Sequence, residues 1–256
     1  MKRIFCVILA VCMLAIPLAA CNGDEAPTIT EGELAMATNA DFPPFEFINE
    51  AGEYDGFDVE LARAIADILD KELVVLNMAF EAILPAIQTG QAHVGIAAMT
   101  ITEERAESVN FTIPYFETSL VVIVTEDSAY TAPGDLTVDT RIVVQQGTTS
   151  DLSVTSNDDL GEPIRLQRPP DTVLELTTGR ADAIVIDEEV ANQFILDNPD
   201  LRIFPGIIDS DTYGMAVALD NTELLELIND ALQQLKASNE YQTIFDRWFG
   251  GEENGA

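Results

Sequence analysis

The chain has 256 residues, room for one large or two smaller domains, and its 47% hydrophobic content is enough to bury sizeable cores, which excludes a wholly disordered chain. It carries 45 acidic against 12 basic side chains, a net charge of −33, so phosphate backbones repel it and nucleic-acid binding is excluded. So many carboxylates read first as a solvated surface, suited to a salty medium in which screening lowers self-repulsion.

The N-terminus opens with Lys2 and Arg3 and continues in an apolar run, Ile4 to Leu18, broken only by Pro17. The run is too short for a membrane span and is flanked by small residues, so it reads as a secretory signal. Its end, Leu18-Ala19-Ala20-Cys21, resembles the lipobox of bacterial lipoproteins, which implies acylation of Cys21 as the first mature residue. Cys6 and Cys12 fall inside the signal, so Cys21 would otherwise be a lone thiol in an oxidising compartment. A mature chain with one cysteine has no disulfide, no Cys-ligated metal and no catalytic Cys/His pair. Losing Lys2 and Arg3 moves the charge from −33 to −35. The expectation is a signal over 1–20, a tether over 21–31, and an exported protein held by lipid at the outer face of the cell membrane or in the periplasm.

After the tether, β-type and helical runs alternate, the pattern of a mostly parallel sheet covered by helices. Leu34 to Ala37 predicts a first strand, and Phe42 to Phe47 (FPPFEF) a loop that Pro43 and Pro44 keep from being helical. Leu61, Ile65, Ile68 and Leu69 recur at helical spacing, with Gly56 before the helix and Asp58 placed to cap it. Leu73 to Leu76 predict a strand, Ala82 to Thr89 a helix ended by Gly90, and Val94 to Ala98 another strand. A second set starts with strands at Leu120 to Val124 and Arg141 to Val144, then a helix near Thr172 to Thr178 and a strand at Ala183 to Ile186. The last part is a strand at Met215 to Leu219 and a helix whose Leu224, Ile228, Leu232 and Leu235 form one core-facing stripe.

The devices of most enzymes are missing from the sequence. The single histidine, His93, enters a strand and reads as a surface or strand-edge residue; there is no H-E-x-x-H, no Walker loop and no GxGxxG after a strand. No cofactor and no metal is expected. Arg105, one of few cations, follows Thr100-Ile101-Thr102-Glu103-Glu104; its planar fork suits a carboxylate and Thr100 can add a hydroxyl, although an ion pair with one of the many acids is the plainer reading. Gln146-Gly147-Thr148-Thr149-Ser150 opens a helix, where backbone N–H groups attract anions. Asp187 ends a strand, where open α/β sheets place ligand contacts.

These residues sit in recognisable segments. GFDVELARAIADIL (Gly56 to Leu69) resembles the signature of bacterial solute-binding protein family 3, similar to glutamine- and histidine-binding proteins. The resemblance extends over Ala37 to Phe47, Met99 to Phe116, Gln145 to Ser150, Gly179 to Asp187 and the terminal YGMAVAL and RWFG, almost the whole mature chain in family order. It implies an α/β, two-lobed periplasmic binding protein type II fold with two hinge crossovers. Lobe 1 would span 32–115 plus 214–250 and lobe 2 119–210, with hinges near 115–118 and 210–213. It further implies an amino acid in the interlobe cleft, a monomer, and an ABC permease with its ATPase as partner.

By position in the family motifs, Arg105 and Thr100 hold the ligand α-carboxylate, with backbone from Ala98, Thr148 and Thr149, and Asp187 takes the α-ammonium. Phe42 and Phe80, which taken singly read as core, match aromatic positions that sandwich the ligand side chain. Asn39 stands where glutamine and basic-amino-acid binders have an aspartate, and Gln145 matches another specificity position. Both are neutral, so a polar uncharged ligand such as glutamine is expected, with an arginine-type ligand open through Asp41 or other acids. Two further readings stay open: a cyclohexadienyl dehydratase-like enzyme using Glu46 or Glu188 as its acid, and a sensor module that reports to a signalling partner.

Overall fold

The structure is a computed structural model that describes residues 32–250; the signal 1–20, Cys21 and the rest of the tether lie outside the described residues. Leu34 to Ala37 are buried in strand β1 (Glu33–Thr38), as a parallel strand covered on both faces requires. The next segment corrects an expectation. Rather than a plain loop, β2 (Asp41–Phe42) and β3 (Glu46–Ile48) form a short antiparallel hairpin around Pro43 and Pro44, and β4 (Tyr54–Asp55) pairs with β3.

Helix α1 (Phe57–Ile68) buries Leu61 and Ile65, as their spacing predicts, but Asp58 does not cap it. The leading N–H groups of Phe57 and Asp58 donate instead to the carbonyls of Pro44 and Phe45. The Asp58 side chain is therefore free to turn inward, where it is fully buried. Gly56 makes this approach possible: its φ is 121°, and a Cβ there would stand 2.2 Å from the Phe45 carbonyl oxygen.

The first lobe continues through β5 (Glu72–Asn77), α2 (Phe80–Gln88), β6 (Val94–Gly95), α3 (Glu103–Ala106) and β7 (Val109–Phe111). Strand β6 is shorter than expected because the chain leaves the sheet at Ile96 and bends through Ala98, whose φ is 45°. The second lobe holds β8 (Phe116–Thr125), β9 (Ile142–Gln145), α4 (Thr149–Thr155), β10 (Ile164–Leu166), α5 (Pro169–Thr177), β11 (Ala183–Asp187), α6 (Glu188–Asp197), β12 (Leu201–Ile203) and β13 (Asp209–Tyr213). The chain then returns to the first lobe with β14 (Ala216–Ala218), α7 (Thr222–Ala237) and α8 (Glu240–Phe249). The stripe of Leu224, Ile228, Leu232 and Leu235 on α7 is buried, as its period demands.

One sheet has the order β5-β1-β6-β14-β7 and the other β10-β9-β11-β8-β12, with β13 also on β8. The two sheets are the cores of two lobes, and the chain crosses between them twice. The crossings lie side by side, since β8 and β13 pair antiparallel with Phe116 opposite Tyr213 and Thr118 opposite Asp211. An aromatic collar braces them: Phe116 stands 4.9 Å edge-on to Phe45 and 4.8 Å from Phe249, while Phe57 contacts Phe45, Phe116 and Phe249. Among the described residues, no helix is long and apolar enough to cross a membrane.

A candidate binding site between the lobes

The parallel strands of both sheets end at the same cleft, the place where open α/β folds collect ligand contacts. Asn39 follows β1, Ala98 and Thr100 follow β6, Gln145 ends β9 and Asp187 ends β11. Phe42 comes from the hairpin, Phe80 opens α2, Arg105 lies in α3, and Thr148 and Thr149 form the start of α4. All ten residues singled out from the sequence line one cleft, together with Glu46 and Ala97. Asp41 lies at its rim, in an ion pair with Arg168, and Glu188 is not among the lining residues. His93 is a strand-edge residue, its Nδ1 accepting the Ala35 N–H at 3.0 Å.

The cationic side is built on Arg105. Thr102 caps its short helix and accepts the Arg105 N–H, fixing where the side chain departs. The guanidinium donates to the Thr100 carbonyl at 2.7 Å and across the cleft to the Gly147 carbonyl at 3.1 Å, and it lies 5.3 Å from the centre of the Phe80 ring. Burial holds its pKa below the usual arginine value, against the opposing charges of Asp211 and Asp187. Thr100 and Thr149, one from each lobe, both donate to the Asp211 carboxylate, at 3.1 and 2.7 Å. Nothing in the short-range sequence context of Asp211 marks it as a member of the cleft.

The anionic side is built on Asp187, which is buried and accepts the Tyr213 hydroxyl at 2.5 Å. Burial pushes its pKa up to about 7; the hydroxyl opposes the shift, and Asp211 and Glu189 add to it. Asn39 and Gln145 meet across the cleft: Gln145 Nε2 donates to Asn39 Oδ1 at 2.8 Å, while Asn39 Nδ2 donates to the Met78 carbonyl. At the rim Arg168 grips Asp41 through two bonds of 2.9 and 3.0 Å, and Gln167 donates to Glu81.

The floor holds two further carboxyls. Glu46 is 1% exposed, and burial, then the charge of Asp58, raise its pKa well above the usual carboxylate range. Asp58 accepts the Ala98 N–H at 2.7 Å and the Tyr115 hydroxyl at 2.8 Å, and so holds Ala98 in its left-handed turn. Burial raises Asp58 to about 6 although both donors favour its charged form. In the sequence Asp58 reads as a helix cap and Glu46 as an acid marked by position alone. A charge inside the apolar FPPFEF run was the available signal.

A two-lobed α/β protein that gathers buried carboxyls, an arginine and two phenylalanines where its parallel strands end is built as a solute-binding protein. Residues 34–251 match the bacterial extracellular solute-binding proteins, family 3, and the chain belongs to that family. It is 31% identical to a probable histidine-binding protein of Neisseria gonorrhoeae, over 93% of this chain and 92% of the relative. It is 33% identical to ABC transporter arginine-binding protein 1 of Escherichia coli (strain K12), over 85% of this chain and 90% of the relative. Among solved structures, a P235GK mutant of ArgBP from T. maritima is 42% identical, with a TM-score of 0.82 over 86% of this chain and 96% of that one.

Proposed function

We propose that the chain is the extracytoplasmic binding component of an ABC importer and that it captures an amino acid with a cationic side chain, arginine foremost. The observation that carries the side-chain class is Glu46, a buried carboxyl lining the cleft whose Oε2 has no hydrogen-bond donor among the described residues. A guanidinium placed there gives that carboxyl a charged donor, and a bidentate fork matches it best. The expectation of glutamine rested on neutral Asn39 and Gln145, but these two amides are engaged with each other and with the backbone. Relatives that carry the names of arginine- and histidine-binding proteins point the same way.

The backbone of any amino acid meets a complementary pair of charges. Arg105 and Thr100, with backbone from Ala98, Thr148 and Thr149 nearby, receive the α-carboxylate; Asp187 receives the α-ammonium; Phe42 and Phe80 flank the side chain. Arg105 belongs to one lobe and Asp187 to the other, so a single zwitterion satisfies both only when the cleft is shut. Binding therefore selects the closed state, with 115–118 and 210–213 as hinges between lobe 1 (32–115 plus 214–250) and lobe 2 (119–210). The contacts from Asn39 to Gln145 and from Asp41 to Arg168 support closure of this kind. A lipid on Cys21 would keep the monomer at the membrane, beside a permease and its ATPase.

A thermal-shift panel of the standard amino acids tests the ligand. Arginine should raise the melting temperature most, and Glu46→Gln should abolish its lead; a larger shift with glutamine would return the ligand to the polar uncharged class. One observation also favours the dehydratase reading, since a buried acid that holds its proton is what leaving-group protonation needs, and Glu46 is such an acid. Incubation with prephenate or arogenate should give no aromatic product, and turnover would replace the binding-only reading.

A further inference from the structure

The Glu46 and Asp58 carboxyls lie within hydrogen-bonding reach of each other, and Oε2 of Glu46 and Oδ1 of Asp58 are buried with no other partner among the described residues, so no donor but a proton of the pair itself serves them. Two carboxylates cannot bond to each other; a carboxyl and a carboxylate can, through one proton, and at such contact both do not ionise together. The donors decide where the proton resides. Asp58 already accepts from the Ala98 N–H and the Tyr115 hydroxyl, both of which favour its charged form, so Glu46 holds the proton and donates it to Asp58.

We propose that this carboxyl pair keeps one proton in the unliganded protein, and that a cationic side chain entering the cleft displaces it to solvent, so that capture of arginine is coupled to proton release. The inference rests on the cationic-ligand reading above. The balance is simple: the Glu46 O–H bond breaks, its proton goes to buffer, and the guanidinium, unchanged in charge, takes its place beside the carboxylate. The pair goes from one negative charge to two as the ligand brings one positive charge. A neutral side chain such as that of glutamine brings none and leaves the proton in place.

The surrounding charges do not supply a competing cation. Asp187 of β11 adds negative potential at Glu46, and its own hydroxyl donor is Tyr213. On the hairpin and α1, Asp41 is paired with Arg168, Asp55 accepts from Asn49 and Gly56, and Glu60 takes both Arg247 and Trp248. From α8 the Tyr241 hydroxyl is bound to the Tyr115 carbonyl. Arg105 responds to Asp187 and Asp211. Asp187 also meets a positive charge, but that is the α-ammonium of every amino acid, so a comparison of ligands removes its share.

Titration calorimetry of the full protein with arginine and with glutamine, each in two buffers of contrasting ionisation heat at one pH, counts the protons. Arginine should release about one proton more than glutamine, and its dissociation constant should fall by up to about tenfold per pH unit on the acid side of the pair's titration. Asp58→Asn keeps an oxygen for the Ala98 and Tyr115 donors but offers its amide to Glu46, so the extra proton release should vanish. Equal counts for the two ligands, or an unchanged count in Asp58→Asn, would overturn the coupling. Absence of arginine binding would instead sink the cationic-ligand reading. In that case the infrared band of a protonated carboxyl in the unliganded protein, lost in Glu46→Gln, still decides whether the proton is there, and its absence rejects the shared proton.

Discussion

Asp187 and Arg105 are each half of a contact that the ligand completes. Truncating either one leaves the ligand group it pairs with, α-carboxylate or α-ammonium, buried without its counter-charge, a loss of roughly 2–5 kcal/mol of affinity. Arg105→Ala and Asp187→Ala should therefore lose measurable binding by calorimetry while keeping a cooperative melt. Micromolar binding that survived either change would remove that residue from the site. Because the Asp187 pKa lies at about 7, every amino acid ligand must also expel a part of its proton, and affinity for glutamine as well as arginine should improve as pH rises through neutrality.

At the scale of elements, the approach of the hairpin to α1 decides the chemistry of the cleft. Gly56 permits it, and Gly56→Ala would drive a methyl group into the Phe45 carbonyl while holding alanine at a positive φ. That variant should melt at a lower temperature and lose arginine binding together, since Glu46 and Asp58 move apart; intact binding would separate the floor of the cleft from this contact. The rim pair behaves differently. Arg168 is 58% exposed, so its grip on Asp41 contributes about 0–1 kcal/mol, and it joins two lobes rather than neighbours in one. Arg168→Ala should leave the melt of the unliganded protein almost unchanged and speed ligand release, and the effect should fade as salt is raised. An unaltered off-rate at low salt would show that the pair does not latch the lobes.

The molecule as a whole carries a net charge of −33, and self-repulsion weakens its compact state. Sodium chloride should raise the melting temperature, most steeply at low concentration, where screening changes fastest; a flat or falling response would contradict the surface reading of this charge. The buried acids add a pH dependence of definite sign. Asp58 and Asp187 titrate at about 6 and about 7 when folded and near the ordinary aspartate value of about 4 when unfolded, so the folded state binds more protons in between. The stability they contribute is present below about pH 4 and is lost as pH rises to about 7, and chemical denaturation midpoints should fall over that interval. Arginine, whose α-ammonium pairs with Asp187, should flatten the part of the fall that Asp187 contributes.

Much of this was legible in the chain itself. Alternating strand and helix runs marked both sheets, the stripe on α7 marked a buried face, and eight of the ten cleft residues, all but Phe80 and Ala98, stand in contiguous motifs, most of them beside strand ends, where position along the chain nearly determines position in space. What the tertiary structure alone decided are the pairings between distant residues. Asn39 and Gln145, 106 positions apart, bond across the cleft, and Glu46 becomes a neighbour of Asp58 only because the helix start is satisfied by the Pro44 and Phe45 carbonyls. A carboxylate in a sequence is a charge by default. Whether it stays one depends on burial and on what faces it, and those are properties of the folded molecule.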